Sequence, residues 1–462
     1  MLPDTELGWV NHLARLHDAE IPELRALDDE YELRAPKSYM HPEIYREIGD
    51  RLSQVVIAWP MLVADTVEER LEPEGFRLPN SADADDELWR VWQSNNADEE
   101  SQLGRLDALV MKRSYITVGT NEDDGDTPLM AFESPLEMYA DTDPRTRKVR
   151  AALRRYSDHT DSLVRLPEYY ATLQLPNVTV WYDRGPEGWR ETGRDVHNLG
   201  EVAVVPVVNR GRTAERCGRS EFAPILPLAH AANKIATDMM TASEFVALPL
   251  RGLFGIGPQD LEDADGNKMT ALQAILGRLL TIPDDDGTAR QFEFTPANLS
   301  NFHETINQLA RLVASLGALP PHFLGFTTDN PASADAIRSS EARLVKRAER
   351  KQVAFGGAYE QAMRLVRRLQ DGDWDPSYRR LETIWRDAAT PTIAQKADAA
   401  QKLHAQGIST LRQTREDVGY TDGQIRRMED EDEKTAREAA ERDPIAQLAR
   451  NQAGPPVEPV QA

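Results

Sequence analysis

The chain has 462 residues, 28% of them charged, and a formal net charge of −23. That length allows roughly two to four structural units, and an apolar content of 40% excludes a chain disordered throughout. Grip on DNA phosphates requires basic surfaces, so the acidity argues against a DNA clamp. It leaves open an acidic face past which DNA slides, or simply a solubilising surface.

Residues up to about 110 are predicted mainly helical. Trp9, Leu13 and Leu16 fall on one face at helical spacing. The apolar run from Val55 to Ala64 contains Pro60, which is expected to break or kink a helix. Ser81 to Glu99 is acidic, with Leu88, Val91 and Trp92 as its apolar stripe. The N-terminus lacks the basic and apolar regions of a signal peptide, and no stretch approaches the ~20 apolar residues of a membrane span. A soluble protein is expected.

From Ala108 the period changes. Ala108–Gly119, Pro128–Phe132, Val149–Tyr156, Glu168–Leu173, Val178–Tyr182 and Val202–Val208 are predicted strands, separated by turns rich in Asp, Gly and Pro such as 121–126. Residues 107–210 therefore read as a mostly antiparallel β unit. A long helix is predicted over Ala223–Phe245, with Ser220 as its cap and Pro249 as its stop. Leu250–Ile256 is a short apolar segment, Thr270–Leu280 a short helix and Arg290–Phe294 a strand. A second long helix, Leu299–Leu316, carries Phe302, Ile306, Leu309 and Val313 on one side. The loop 322–332 leads to a third and longest helix, Ser333–Leu369, with Ser333 as a candidate cap. A strand-like Leu381–Trp385, two or three helices between Ile393 and Glu441, and a Pro-bearing tail after Asp443, expected to be disordered, complete the chain. The predicted class is α+β.

Catalytic signatures are missing. There is no GxxxxGK[ST], HExxH or GxSxG. His303-Glu304 lacks the second histidine of a zinc helix. In 263–267 a calcium loop would need a ligand where Leu261 stands. Asp284, Asp285 and Asp286 could attract a divalent cation but read better as an exposed turn. Lone Cys217 forms no intrachain disulfide, which fits a reducing cytoplasm. No metal, cofactor or catalysis is expected.

The informative constellation lies in 218–369. Gly218-Arg219-Ser220 opens the first long helix. The second ends in Gly317-Ala318-Leu319-Pro320, with Leu324-Gly325 following. Then come a polar loop with Asn330-Pro331 and the helix start Ser333-Ala334-Asp335-Ala336-Ile337. This layout resembles the phage portal family, in the branch of siphophage portals with Gly-x-Ser before the first stem helix. The similarity extends to Trp385-Arg386-Asp387, 394–399 and 408–419.

The resemblance implies a portal fold. Its parts would be a wing of helices and β unit (1–218), stem helices (219–246 and 299–321) and a small α/β clip (247–298). A tunnel loop (322–332), a long wing helix with its return strand (333–387), a crown (388–442) and a tail (443–462) would follow. It implies a homo-oligomeric ring, a dodecamer as in the family, whose channel passes double-stranded DNA. The implied partners are the terminase large subunit, a head–tail adaptor, and the major capsid and scaffold proteins. The location would be the capsid vertex, after assembly in the host cytoplasm. Phe326, Thr327, Thr328, Asp329 and Asn330 would face the channel. Arg251, Phe254, Asp284, Asp285, Asp286, Arg290 and Phe292 would dock partners at the clip. Arg338, Arg343, Lys346, Arg347, Arg350 and Lys351 form a basic row on the third helix. That row would meet DNA phosphates or an acidic neighbouring subunit, or be a solvated face. The competing reading is a capsid-associated adaptor or scaffold without a pore.

Overall fold

The computed structural model describes residues 2–34, 55–79, 81, 84–158, 168–246, 251–254, 279–282, 290–293, 299–325, 334–389 and 393–442. It combines helices with mainly antiparallel sheet, as the α+β class predicts.

Helix α1 (Glu6–Tyr31) starts at Thr5, whose hydroxyl accepts from the Gly8 amide at 3.1 Å. Its first half packs Val10 and Leu13 on a sheet, and its second half packs Leu24 and Leu27 among helices. Helix α2 (Trp59–Glu68) corrects the expectation for Pro60. The proline sits in the first turn, where its missing N–H would have no helical partner anyway, so it begins the helix instead of breaking it. Strand β1 (Pro73–Arg77) follows, then α3 (Asp86–Ser94) and α4 (Ala97–Val110). Leu88, Val91 and Trp92 are fully buried, as their spacing predicts.

The strand expected from Ala108 begins later. Ala108, Leu109 and Val110 finish the buried face of α4, Lys112 turns the chain at φ +78°, and β2 covers Arg113–Gly119. Then come β3 (Leu129–Glu133), β4 (Met138–Thr142), β5 (Val149–Asp158), β6 (Glu168–Gln174), β7 (Thr179–Gly185), β8 (Gly188–Asp195) and β9 (Val204–Val208). Strands β3-β2-β9 form one antiparallel sheet, and β4-β5-β6-β7-β8 form a second, a meander.

Helix α5 covers Leu226–Val246. It starts three residues later than expected because Pro224 interrupts the approach and Pro227 suits a first turn. Ser220 is therefore not its cap: the side chain is buried and its hydroxyl has no hydrogen-bond partner among the described residues. Between α5 and α6 (Ser300–Gly317), strands β10 (Arg251–Phe254), β11 (Leu279–Ile282) and β12 (Arg290–Glu293) form a sheet in the order β11-β10-β12. The β10–β11 pair is parallel and β10–β12 antiparallel. Leu279 and Leu280, expected at the end of a helix, are in strand β11; 270–278 lie outside the described residues.

A 3₁₀ turn (Pro321–Leu324) follows α6, and α7 (Ala334–Asp371) runs for 38 residues. After a second 3₁₀ turn (Pro376–Arg380), β13 (Glu382–Trp385) pairs antiparallel with β1, some three hundred residues back in the chain. Helices α8 (Ile393–Ala405), α9 (Leu411–Val418) and α10 (Asp422–Arg442) end the described chain. The proposed tail lies outside it.

The largest core forms around α7. Phe355, Tyr359, Met363 and Val366 are fully buried against Phe76, Leu88, Trp92, Ile116 and Val205. Each such side chain contributes about 1.5–3 kcal/mol on removal from water. These four positions, spaced by four, four and three residues, form one helix face that belongs to the chain's own core. A second cluster joins Ala229 and Ala232 of α5 to Ala310 and Val313 of α6, with Ile306 and Leu309 packed against it. Helix α6 is one-sided, as its spacing predicts.

Candidate functional site

The candidate site is the junction from which α5, α6 and α7 depart. Strand β9 ends at Val208, and Asn209 turns the chain: its amide donates to Lys112 O at 2.9 Å, and Arg219 N donates back to Asn209 O at 2.9 Å. Gly218 lies in this turn at φ +83°. A Cβ there would stand 2.3 Å from Lys112 O and 2.8 Å from Asn209 O, so only glycine fits. The Gly218-x-Ser220 string therefore encodes a close backbone approach. It delivers Glu221, whose amide donates to Leu109 O at 2.7 Å.

The Glu221 side chain is wholly buried. Its carboxylate pairs with Lys351 Nζ at 2.7 Å, Arg210 Nε at 2.8 Å and Arg347 Nε. Asn209 Nδ2 adds a hydrogen bond at 3.1 Å. Burial alone would raise the pKa of this carboxyl; Lys351, Arg347 and Arg210 outweigh it and hold it at about 2. One carboxylate is shared by three cations. For Lys351, burial outweighs that shared partner and pushes the ammonium down to about 8. Burial lowers Arg347 in the same way.

Arg347 also donates to Gly317 O, and Arg343 Nη1 donates to Ser315 O at 2.6 Å. These are carbonyls of the last turn of α6, which lack helical partners and sit at the negative end of its dipole. Two cations of α7 thus cap α6, while Arg347 and Lys351 hold the segment that begins α5. Charge, not only apolar contact, sets the directions of three helices and β9 at one point.

This geometry divides the basic row predicted on the third helix. Lys351 is buried and Arg347 half-buried, both committed to Glu221, so neither is a surface contact. Arg343 is exposed but engaged with α6, and exposed Lys346 pairs with Glu349 at 2.6 Å. Arg338 and Arg350 are exposed. Arg251 and Phe254 fall on β10, and Arg290 and Phe292 on β12, with Phe254 paired to Arg290 in register. Asp284, Asp285, Asp286 and Phe326–Asn330 lie outside the described residues, as do Ser333 and Pro249. Glu221, Arg210 and Asn209 were not singled out in the sequence. Their one signal is the position of Glu221 directly after Gly-x-Ser.

Among the described residues no three His, Cys, Asp or Glu side chains cluster as a metal site, and no helix is long and apolar enough to cross a membrane.

Residues 11–438 match the family described as phage portal protein, SPP1 Gp6-like. The portal protein of Mycobacterium phage D29 is 41% identical over 390 residues, covering 82% of this chain and 79% of the relative. The portal protein of Mycobacterium phage L5 is 39% identical over 401 residues, covering 85% and 81%. The chain belongs to the phage portal protein family of SPP1 Gp6-like type, a structural head–tail connector component of the virion.

Proposed function

We infer that this chain is one subunit of a closed ring, a dodecamer, set at one capsid vertex, through whose central channel the double-stranded genome is packaged and ejected. The observation that carries the reading is the junction at Glu221. Two apolar-faced helices, α5 and α6, leave it, bracket a three-stranded insertion, and are clamped to the long α7 by Arg347. A ring closes through head-to-tail contacts repeated by rotation, and each subunit must then hold one fixed shape. A charge-locked junction supplies that stiffness.

On this reading α5 and α6 are stem helices, and β10, β11 and β12 belong to the clip that docks the terminase large subunit and later a head–tail adaptor. Residues 322–332 are the tunnel loop, with Phe326–Asn330 toward the DNA. Helix α7 is the long wing helix, and α8, α9 and α10 form the crown toward the capsid interior, where the major capsid and scaffold proteins assemble. No chemical step is assigned to the chain.

Negative-stain microscopy of the purified protein tests the reading. Rings with a central hole are expected. A stable monomer, or a compact oligomer without a hole, would instead favour an adaptor or scaffold.

A further inference from the structure

A cavity lined by several cations lies away from the Glu221 junction, at the far end of α7. A cavity of about 730 Å³ opens there between three elements. Helix α7 contributes Arg364, Arg367 and Arg368, the following 3₁₀ turn contributes Arg379, and the β4–β5 turn contributes Arg147 and Lys148. Of the lining residues only Glu201 and Asp375 are acidic; Glu201 is already paired with Lys148, and Arg367 with Asp371 at 3.6 Å. No carboxylate of the described residues comes within 4 Å of Arg147, Arg364, Arg368 or Arg379. The Arg368 Nε is buried without a hydrogen-bond partner among the described residues. In a chain of net charge −23, the described residues leave this concave site with an excess of cations.

The same end of α7 carries an acidic projection. The turn 121–126 between β2 and β3 presents Glu122, Asp123, Asp124 and Asp126, all exposed. No side-chain carboxylate of the four has a Lys or Arg nitrogen of the described residues within 4 Å, although Arg90 Nη2 donates to the Asp126 carbonyl at 3.0 Å. The turn is held in shape: Asn121 Oδ1 accepts from the amides of Asp123 and Asp124, and Asp124 Oδ1 from that of Asp126. It is tied to α7 through Gln370, which donates to Asp126 O at 2.7 Å. Going round α7, Arg368 is about 40° from Arg364, whereas Gln370 is about 120° from Arg364 and about 160° from Arg368. Arg367 lies between, lining the cavity and donating to Gln370 Oε1 at 3.3 Å, so the acidic turn and the Arg364–Arg368 face are separate but neighbouring patches on α7.

We propose that the acidic turn 121–126 of one subunit docks in the cationic cleft of Arg364 and Arg368 of the next copy of this chain. Two complementary but separate patches on one element make a heterologous contact, the kind that repeats by rotation to close a ring. A concave site suits an inserted turn better than the convex surface of a DNA duplex. Arginine forks hold carboxylates in two-point contacts. The proposal rests on the ring reading above and names the residues that set its register.

The test uses the full chain in three forms: Arg364→Glu with Arg368→Glu, Asp123→Arg with Asp124→Arg, and all four together. Circular dichroism and melting of each confirm a folded chain, and negative stain with native mass reads assembly. Each double reversal should lose the rings at a salt concentration where wild type is assembled, and the fourfold variant should regain them. Rings that survive both double reversals, or a folded fourfold variant that fails to recover them, overturn the docking while leaving the ring reading intact. So does a result in which the arginine reversal spares the rings but abolishes binding of a short DNA duplex. A wild-type chain that never forms rings overturns both.

Discussion

At the residue scale, the junction makes opposite demands on its charges. Among the described residues Glu221 is the sole carboxylate paired with these three cations, Lys351, Arg347 and Arg210, so its loss leaves buried Lys351, half-buried Arg347 and partly exposed Arg210 without a counter-charge. Breaking a buried pair in this sense costs about 3–5 kcal/mol. Glu221→Gln should therefore lower stability by that order in chemical denaturation. Lys351→Met removes an under-compensated ammonium and leaves the carboxylate two partners, so it should stay within about 1 kcal/mol of wild type. Equal losses in the two variants would contradict this account.

The pH dependence has a definite sign for each group. Glu221 is held at about 2, below its ordinary 4.5, so its contribution is complete above about pH 4.5 and fades as pH falls toward 2. Lys351 is pushed down to about 8 from 10.5, so between those values the unfolded chain binds the extra proton and stability rises with pH. Lys351→Met should abolish that alkaline rise.

At the element scale, similar caps differ in consequence because of what their helices bury. Asp85 Oδ1 accepts from the amides of Glu87 and Leu88 at 3.1 and 3.0 Å, and Oδ2 from the Tyr378 hydroxyl at 3.3 Å. Helix α3 is seated in the main core by Leu88, Val91 and Trp92. Thr410 caps α9, which has no buried residue. Asp85→Ala should lower global stability by about 1 kcal/mol, whereas Thr410→Ala should fray α9 and leave the global transition where it was. Hydrogen exchange and denaturation separate the two outcomes.

The elements that could be read in advance are those whose signal is local. Phe302, Ile306, Leu309 and Val313 mark α6 by spacing alone, and Phe355 to Val366 mark the buried face of α7. Strands β1 and β8 escaped notice because PEGFR and GWRETGRD carry no apolar alternation: β1 exists by pairing with distant β13, and β8 as the exposed edge of a meander. The candidate site was half legible for the same reason. Periodicity shows that Arg347 and Lys351 lie on a helix, but not that Glu221, 126 and 130 residues away, will cover them.

At the scale of the whole molecule, the ring reading raises the question of how so acidic a chain would pass DNA. Net charge repels the duplex within about a Debye length, roughly 8 Å at physiological salt, and only local cations can oppose that. The described cations are largely committed: Arg347 and Lys351 to Glu221, Arg343 to α6, Lys346 to Glu349. On the docking proposed here, the cleft at Arg364 and Arg368 is filled by a neighbouring subunit in the assembled ring. An assembled ring should then bind a short duplex weakly, with a dissociation constant above about 1 µM near 0.15 M salt. Its affinity should fall only shallowly as salt rises, because few counterions are displaced. The Asp123→Arg, Asp124→Arg variant leaves the cleft unfilled and adds cations beside it, so it should bind the same duplex more tightly and with a steeper salt dependence. Nanomolar binding by wild-type rings at 0.15 M salt would mean that the channel grips its cargo, and the acidity would then need another explanation than passage without adhesion.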